Sequence, residues 1–461
     1  RITVKNKLVK RGIYMSYSIT REELKKVLLD GDQQQIKKLI TNIHPADILD
    51  ILHEDEDSIK ELMDHLPNDV VANIIEEEDD EDEQYELLKL FSDAKQRKII
   101  DEMSKDEITD LIGELEENEK QDILNKMDQD DKADVEKLLT FEPDTAGGIM
   151  TTEYISIRSG NTVEKTLKYL QENTEQDTTY YLYVVDPQNV LKGVVSLRDI
   201  VSSTFDTKMI DITNPNVKSV LYNVDQEEVA RKFKKYGFIM MPVVDEEDHL
   251  LGVIEFDDII DIMQEESTED INLLGGVDSE ERLDSTIEES FKSRIPWLII
   301  NLFTAVLAAS VVSFFEGTIA QVVTLATVMP IVTGMGGNAG TQTLTIVVRG
   351  LSLGEMTKAN AIKIMLKEIA VGMCSGIIIG ILVAIGSMIF EGNPIFGLVT
   401  GLAMFLNMIL ANIAGYFIPV ILDKLKIDPA LASGVFVTTV TDVLGFFFFL
   451  GLATVFLPYL I

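Results

Sequence analysis

One carboxylate stands inside the long apolar runs of the C-terminal part: Asp442, in Thr438-Thr439-Val440-Thr441-Asp442-Val443-Leu444-Gly445. A lone carboxylate at bilayer depth costs about 2.5–3.5 kcal/mol unless it faces a partner or water. No Lys, Arg or His within those runs can pair with it. A transported cation is the partner this chemistry proposes, and a protonated Asp hydrogen-bonded inside a helix bundle is the alternative. A second feature is Pro330-Ile331-Val332-Thr333-Gly334-Met335-Gly336-Gly337-Asn338-Ala339-Gly340-Thr341-Gln342. Glycines beside a proline weaken a helix, and irregular backbone at membrane depth is tolerated only where it lines a cavity or is buried in protein. Carbonyls freed around Gly337, with the Asn338 side chain, are therefore candidate ligands. Gly336 and Gly340 also form a GxxxG, whose competing reading is close helix packing. Asn301, Asn407 and Asn412 add polar groups in other runs, each equally able to bond one helix to another.

These donors are oxygens. The C-terminal part contains no histidine and one cysteine, Cys374, so soft and borderline metals are disfavoured there. A hard divalent cation fits, magnesium first because it gives up its waters reluctantly, with calcium, manganese and cobalt left open. Inward flow needs no pump, since two charges crossing about 100 mV gain roughly 4.6 kcal/mol.

The elements that must position these groups are membrane helices, each needing roughly 20 apolar residues to cross about 30 Å of hydrocarbon. Five spans are expected, at 296–315, 319–348, 369–390, 395–422 and 430–457. Lys292 and Arg294 precede the first, Arg349, Lys358, Lys363 and Lys367 separate the second from the third, and Lys424 and Lys426 separate the fourth from the fifth. All fall on one side, while the opposite loops carry Glu316 and Glu391. By the positive-inside rule this predicts a cytoplasmic N-terminus and an outer C-terminus in the cell membrane. Asp442 then lies roughly 20 Å along its span at about 1.5 Å per residue.

Ahead of the spans the chain is acidic. Of 77 acidic and 40 basic residues in 461, only 7 and 8 follow Ser290, leaving 70 and 32 up to that point. Such a surface repels a polyanion, so nucleic acid is not an expected partner. One cysteine excludes an internal disulfide, and Cys374 reads as a small core residue. Arg1 to Met15 is basic but lacks an apolar stretch of signal length, which predicts that the acidic part remains in the cytosol.

Within the acidic part, Ala46–Leu52, Val70–Ile75 and Ile108–Ile112 carry apolar residues at helical spacing in stripes one or two turns wide. Short helices stacked as a small superhelix are expected over 20–140. The run Glu76 to Glu83 is all carboxylate and reads as a solvated loop or, alternatively, a metal loop. A repeat follows: Val184-Val185-Asp186, Gly193-Val194-Val195 and Asp199-Ile200 recur 59 residues later as Val243-Val244-Asp245, Gly252-Val253-Ile254 and Asp258-Ile259. Each copy reads strand, turn, strand, helix, with the closing Asp capping the helix. The repeat resembles a tandem pair of CBS domains, at 141–204 and 205–263, which implies an α+β regulatory module. Ser196-Leu197-Arg198-Asp199 is similar to the hydroxyl and ribose-binding Asp with which such domains hold ATP or another adenine nucleotide. In the second copy Glu255 replaces the hydroxyl.

Pro330 to Gln342, Thr441-Asp442-Val443-Leu444-Gly445, Phe141-Glu142-Pro143-Asp144-Thr145-Ala146-Gly147-Gly148-Ile149-Met150 and the CBS pair together resemble the MgtE family of magnesium channels. The resemblance implies a multidomain membrane protein: an acidic helical N-terminal domain, the CBS pair, a connecting helix at 264–292 that plugs the pore, and a five-helix transmembrane domain at 293–461. It implies a homodimer with the pore between subunits and Asp442 at the ion site. It also implies that magnesium bridges carboxylates where the N-terminal domain, the second CBS copy and the plug meet. Candidates are Asp106 and Asp110, one turn apart, Asp225, Asp245 and Asp248, Asp257 at the plug, and Asp428 at the cytoplasmic start of the fifth span. Packed carboxylates repel unless a counterion bridges them, so this part should compact when divalent cation is plentiful.

The expected function is a magnesium channel that closes as internal magnesium rises. A cation-coupled secondary transporter of divalent metals is one rival, and a membrane-anchored nucleotide sensor is another. An intramembrane enzyme is disfavoured, since the spans offer neither paired carboxylates nor a nucleophile with a base.

Overall fold

Each short apolar stripe of the acidic part forms one helix. The computed structural model describes residues 2–6, 15–19, 27–28, 36, 43–54, 59–78, 80–172, 181–279, 281–283, 285–431 and 433–461, so most of the expected domain start at 20–42 lies outside the described residues. Two units divide the chain, Arg1–Ile260 and Asp261–Ile461. In the first, an antiparallel pair, β1 (Ile2–Asn6) and β2 (Met15–Ile19), comes first, and eight helices lie between Pro45 and Leu138 among the described residues. These are α1 (Pro45–Glu54), α2 (Ile59–Asp64), α3 (Asn68–Glu76), α4 (Glu81–Lys89), α5 (Asp93–Ile100), α6 (Lys105–Glu114), α7 (Glu117–Leu124) and α8 (Gln129–Leu138). None is long enough to be stable alone, so each depends on its buried stripe. α1 packs on α3, α3 on α5, α4 on α6 and α6 on α8. This stacking of helices on those two places along is the expected superhelix, and it buries Leu52, Met63, Ile74, Ile75, Ile99, Ile112 and Val135 in one core.

The repeat folds as two three-stranded sheets. The first contains β3 (Ser156–Arg158), β4 (Tyr181–Val185) and β5 (Leu191–Ser196), with α9 (Val163–Glu172) crossing between β3 and its parallel neighbour β4, followed by α10 (Leu197–Ser202) and α11 (Met209–Ile212). The second contains β6 (Val220–Leu221), β7 (Met240–Val244) and β8 (Leu250–Glu255), with α12 (Gln226–Tyr236) as the crossover. The two hairpin turns bond reciprocally: Leu191 N donates to Asp248 O (2.9 Å) and Leu250 N to Asn189 O (3.0 Å). Asn189 and Asp248 take left-handed conformations at equivalent positions. The segment ahead of β3 pairs with the second copy, through Ala146 N to Val224 O, Gly147 N to Tyr222 O, and Thr151 with Val253 in both directions. A Cβ on Gly148 would lie 2.2 Å from Pro143 O, so only glycine admits this junction.

After β8 comes α13 (Phe256–Gly275). The sequence predicts one connecting helix at 264–292, whereas α13 starts earlier and ends at Gly276, φ 73°. A new helix, α14 (Ile287–Phe314), then opens with a capping box between Thr286 and Glu289. The intervening turn is pinned to α14 by Glu281, which accepts from Ser293 Oγ (2.7 Å) and pairs with Arg294.

The second unit continues with α15 (Glu316–Gln321), α16 (Leu325–Ser352), α17 (Ala361–Glu391), α18 (Pro394–Lys424), α19 (Ser433–Val455) and α20 (Leu457–Leu460). Among the described residues α14, α17, α18 and α19 are long and apolar enough to cross a membrane. α16 has the length, and its polar stretch lowers its apolarity. α16 is helical throughout, through Pro330 and the four glycines that follow it before Gln342, which corrects the expectation of irregular backbone there. The glycines serve packing instead: Gly336 faces Asn407, and Gly340 faces Val437 and Ala411 O. Close neighbours on α18 and α19 replace the stability that the glycines cost. Cys374 is exposed, not in the core as expected, because an apolar run in a membrane helix supplies the outer face as well as the packed one.

Gly415 on α18 illustrates how close these helices lie, since a Cβ there would be 2.5 Å from Gly340 O. Gly415→Ala should therefore destabilise the second unit by about 1–3 kcal/mol. Gly386→Ala, which meets nothing within 4 Å, should be neutral or stabilising by up to about 1 kcal/mol. Thermal melts of the purified protein in detergent separate the two.

Candidate cation sites in the two units

The first unit gathers carboxylates from α3, α6, the junction ahead of β3, and the β8–α13 connection. At its centre Asp106 accepts a hydrogen bond from Thr151 Oγ1 (3.2 Å), which the glycine-bearing junction holds in place. Glu76, at the end of α3, accepts from Ser104 N (2.6 Å) and Ser104 Oγ (3.0 Å) at the start of α6. Burial, then the facing Asp106, Asp110, Glu76 and Asp258, push Glu107 up to about 9. Burial, then Asp106, Asp257 and Glu255, push Asp258 up to about 7. Burial likewise raises Asp106 and Glu76, against the hydrogen bonds they accept, and raises Glu153, which Lys105 partly offsets. Asp110 and Asp257 are exposed at the rim of this knot. Oxygen donors, mutual repulsion and an exposed rim are what a hard divalent cation requires.

Of the sequence candidates, Asp106, Asp110 and Asp257 belong to the knot. Glu76, Glu107, Glu153 and Asp258 join them, and sequence reasoning missed these four because their partners come from separate helices. The 59-residue repeat did flag Asp258, as a helix cap. Asp225, Asp245 and Asp248 occupy turns of the second CBS copy. Asp225 caps α12 through Glu227 N (2.9 Å). Asp245 accepts from Glu247 N and His249 N and pairs with His249 Nδ1 (2.8 Å), and Asp248 is the left-handed turn residue.

At the nucleotide motif the cap is Ser196 rather than Asp199 as expected. Ser196 Oγ accepts from Asp199 N (3.2 Å) and donates to Asp199 Oδ2 (2.5 Å), because a strand running directly into a helix puts its last residue at the cap. Asp199 is exposed and Ser196 half-buried.

In the second unit Asp442 is half-buried on α19, beside Thr441, whose methyl lies 3.6 Å from the Cβ position of Gly340 on α16. Asn338 is exposed on α16, and the Cβ position of Gly337 opens on space. With α16 unbroken, Gly337 offers no freed carbonyl. Asn407 and Asn412 are interhelical ties: Asn407 Nδ2 donates to Val332 O (2.8 Å), and Asn412 Oδ1 accepts from Thr343 Oγ1 (2.7 Å). Asp428 caps a turn through Ala430 N (2.6 Å) and faces Asp270 of α13. Asp270 itself bonds Ser352 Oγ (2.8 Å), and Leu273 joins Leu344, Val348, Ala430 and Val437 in one cluster. The last turns of α13 thus pack on α16 and α19. Glu368, one residue outside the expected third span, is a buried carboxylate beside Lys367 Nζ (2.8 Å) that the sequence reading missed, since an average over apolar residues passes over one acid at a helix start.

The knot's pH dependence follows from its raised values. It adds stability while protonated, and this is lost as pH rises, between 3.8 and about 7 for Asp258 and between 4.5 and about 9 for Glu107. In divalent-free buffer, hydrogen exchange in α6, corrected for the intrinsic rate, should accelerate across that window. Excess magnesium should reverse the effect, and Glu107→Gln should flatten it.

Comparison with known proteins matches each part of this architecture. The profile of the MgtE intracellular N domain covers residues 21–144, that of the CBS domain 146–205 and 210–265, and that of MgtE, described as a divalent cation transporter, 329–452. The magnesium transporter MgtE of Thermus thermophilus is 34% identical over 437 residues, 93% of this chain and 97% of that protein. Its namesake from Bacillus subtilis is 35% identical over 433 residues, 94% and 96% of the two chains. Among solved structures, the soluble part of a magnesium transporter aligns at 32% identity and TM-score 0.51, covering 54% of this chain and 98% of that one. With relatives matching along nearly its whole length, the chain belongs to the MgtE family of divalent cation transporters.

Proposed function

We propose that this protein conducts magnesium down its electrochemical gradient, and that magnesium held by the carboxylate knot closes the path. The transport reading rests on Asp442, a half-buried carboxylate on an apolar helix. A carboxylate kept at that depth needs a cation or water beside it, and an oxygen-only environment favours a hydrated hard ion. The exposed face of α16 carrying Asn338 suits a second copy, so the pore is assigned to the interface of a homodimer. The cell membrane is the assigned location, with the first unit cytoplasmic.

Regulation is assigned to α13. It starts among the knot carboxylates Asp257 and Asp258, and its last turns pack on α16 and α19. Where cation is scarce, repulsion within the knot loosens the start of α13. Where it is plentiful, bridging fixes that start and with it the end that meets the pore helices. An effect of about 1–3 kcal/mol on this equilibrium changes the open-to-closed ratio roughly 5–150-fold. The Ser196–Asp199 pair offers a hydroxyl and a carboxylate for the ribose of an adenine nucleotide, as a modulator.

In proteoliposomes with magnesium varied on the side of the first unit, flux should saturate and then shut as that magnesium rises. Asp442→Asn should abolish flux while insertion is retained; full transport by that variant would remove Asp442 from the ion path. Deleting the residues before Ile271 should leave a pore that stays open at high magnesium, and Asp106→Asn should shift closure at least about fivefold upward. Flux that requires a proton or sodium gradient would instead assign a coupled transporter.

A further inference from the structure

Glu76, the first residue of the acidic run Glu76–Glu83, belongs to the knot. Two others, Glu78 and Glu83, turn to His53 at the end of α1. His53 Nε2 lies 2.7 Å from Glu78 Oε2 and 3.9 Å from Glu83 Oε2. The three come from separate elements: the last turn of α1, the turn after α3, and the first turn of α4. Glu83 is fixed there because its backbone N–H donates to the Asp80 cap (3.0 Å). Glu78 is 7% exposed, whereas His53 and Glu83 are half open to water, so the group has a dry floor and a wet mouth. A second observation points the same way. Gln84 is buried, its Nε2 donates to Glu78 O (2.7 Å), and its Oε1, held beside the same turn, is buried with no hydrogen-bond partner. A buried carbonyl oxygen without a donor carries a cost that a cation relieves.

We propose that His53, Glu78 and Glu83 form a binding site for a borderline divalent transition ion of the zinc, cobalt and nickel class, with Gln84 Oε1 as a further oxygen. Two ligands about 2.1 Å from a tetrahedral ion lie about 3.4 Å apart, and the observed separations of 2.7 and 3.9 Å bracket that value. Three protein donors with an exposed side leave a position for water, as in open metal sites. An imidazole nitrogen is what separates this site from the knot: magnesium takes oxygen donors, whereas an imidazole with carboxylates binds the later first-row ions more tightly. Joining α1, the turn after α3 and α4 would clamp one end of the helical stack. Asp245, Glu247 and His249 make the comparison. There Asp245 Oδ1 is already committed to two turn N–H groups, and that cluster is not assigned a metal. The proposal does not depend on the gating reading.

The test is cobalt titration of the purified full-length Cys374→Ser protein in a large excess of magnesium, read by visible absorption and calorimetry. The expected result is one cobalt per chain with a band of a four- or five-coordinate, nitrogen-containing site, displaced by zinc and not by magnesium. His53→Ala and Glu78→Gln should each weaken binding more than about tenfold, and His249→Ala should leave it unchanged. His53→Gln replaces His53→Ala should the latter fail to purify. No band, a band that survives loss of His53, a band lost with His249, or displacement by magnesium at comparable concentration would each overturn the assignment.

Discussion

Repulsion between packed carboxylates is the constraint on which the first unit turns. Glu76, Asp106, Glu107, Asp258 and their neighbours are brought together by helices whose apolar stripes fix their positions, so the charges cannot simply move apart. Such a group has two ways to relax, taking up protons or taking up a cation, and both stabilise the same packing. Burial and the neighbouring carboxylates together raise these groups, so protonation relieves their repulsion, and a bound cation would relieve it in the same way. The junction at Gly147-Gly148 serves this arrangement, because it ties the second CBS copy to Thr151 and so to Asp106.

The membrane unit answers a different constraint. Lipid offers neither a hydrophobic drive for helix association nor partners for polar groups, so packing must come from close approach and internal hydrogen bonds. Gly340 against Gly415 and Val437, and Asn407 against Val332 O, supply both. Asp442 differs from these ties, being a half-buried carboxylate with no such bond among the described contacts.

The helix α13 draws on both. Its first turn carries Asp257 and Asp258, and its last turns carry Asp270 and Leu273, each set in its own environment. The Gly276 turn ends this helix and the Thr286 cap opens the next.

Much of this was legible in the sequence. Hydropathy and charge separated the two parts, the 59-residue repeat gave the CBS pair, and helical spacing gave the stacked helices, because each signal is local and periodic. Asp442 was legible for the same reason, being one charge in an uncharged run. The tertiary structure decided what depends on residues distant in the chain. It made α16 an unbroken helix despite Pro330 and the four glycines after it, because neighbours on α18 and α19 pack into the space the glycines leave. It selected Asp106, Asp110 and Asp257 from seven aspartates and added Glu76, Glu107, Glu153 and Asp258, and it set Glu78 against His53. Carboxylates look alike in sequence, and only burial and the distance to one another give them different chemistry.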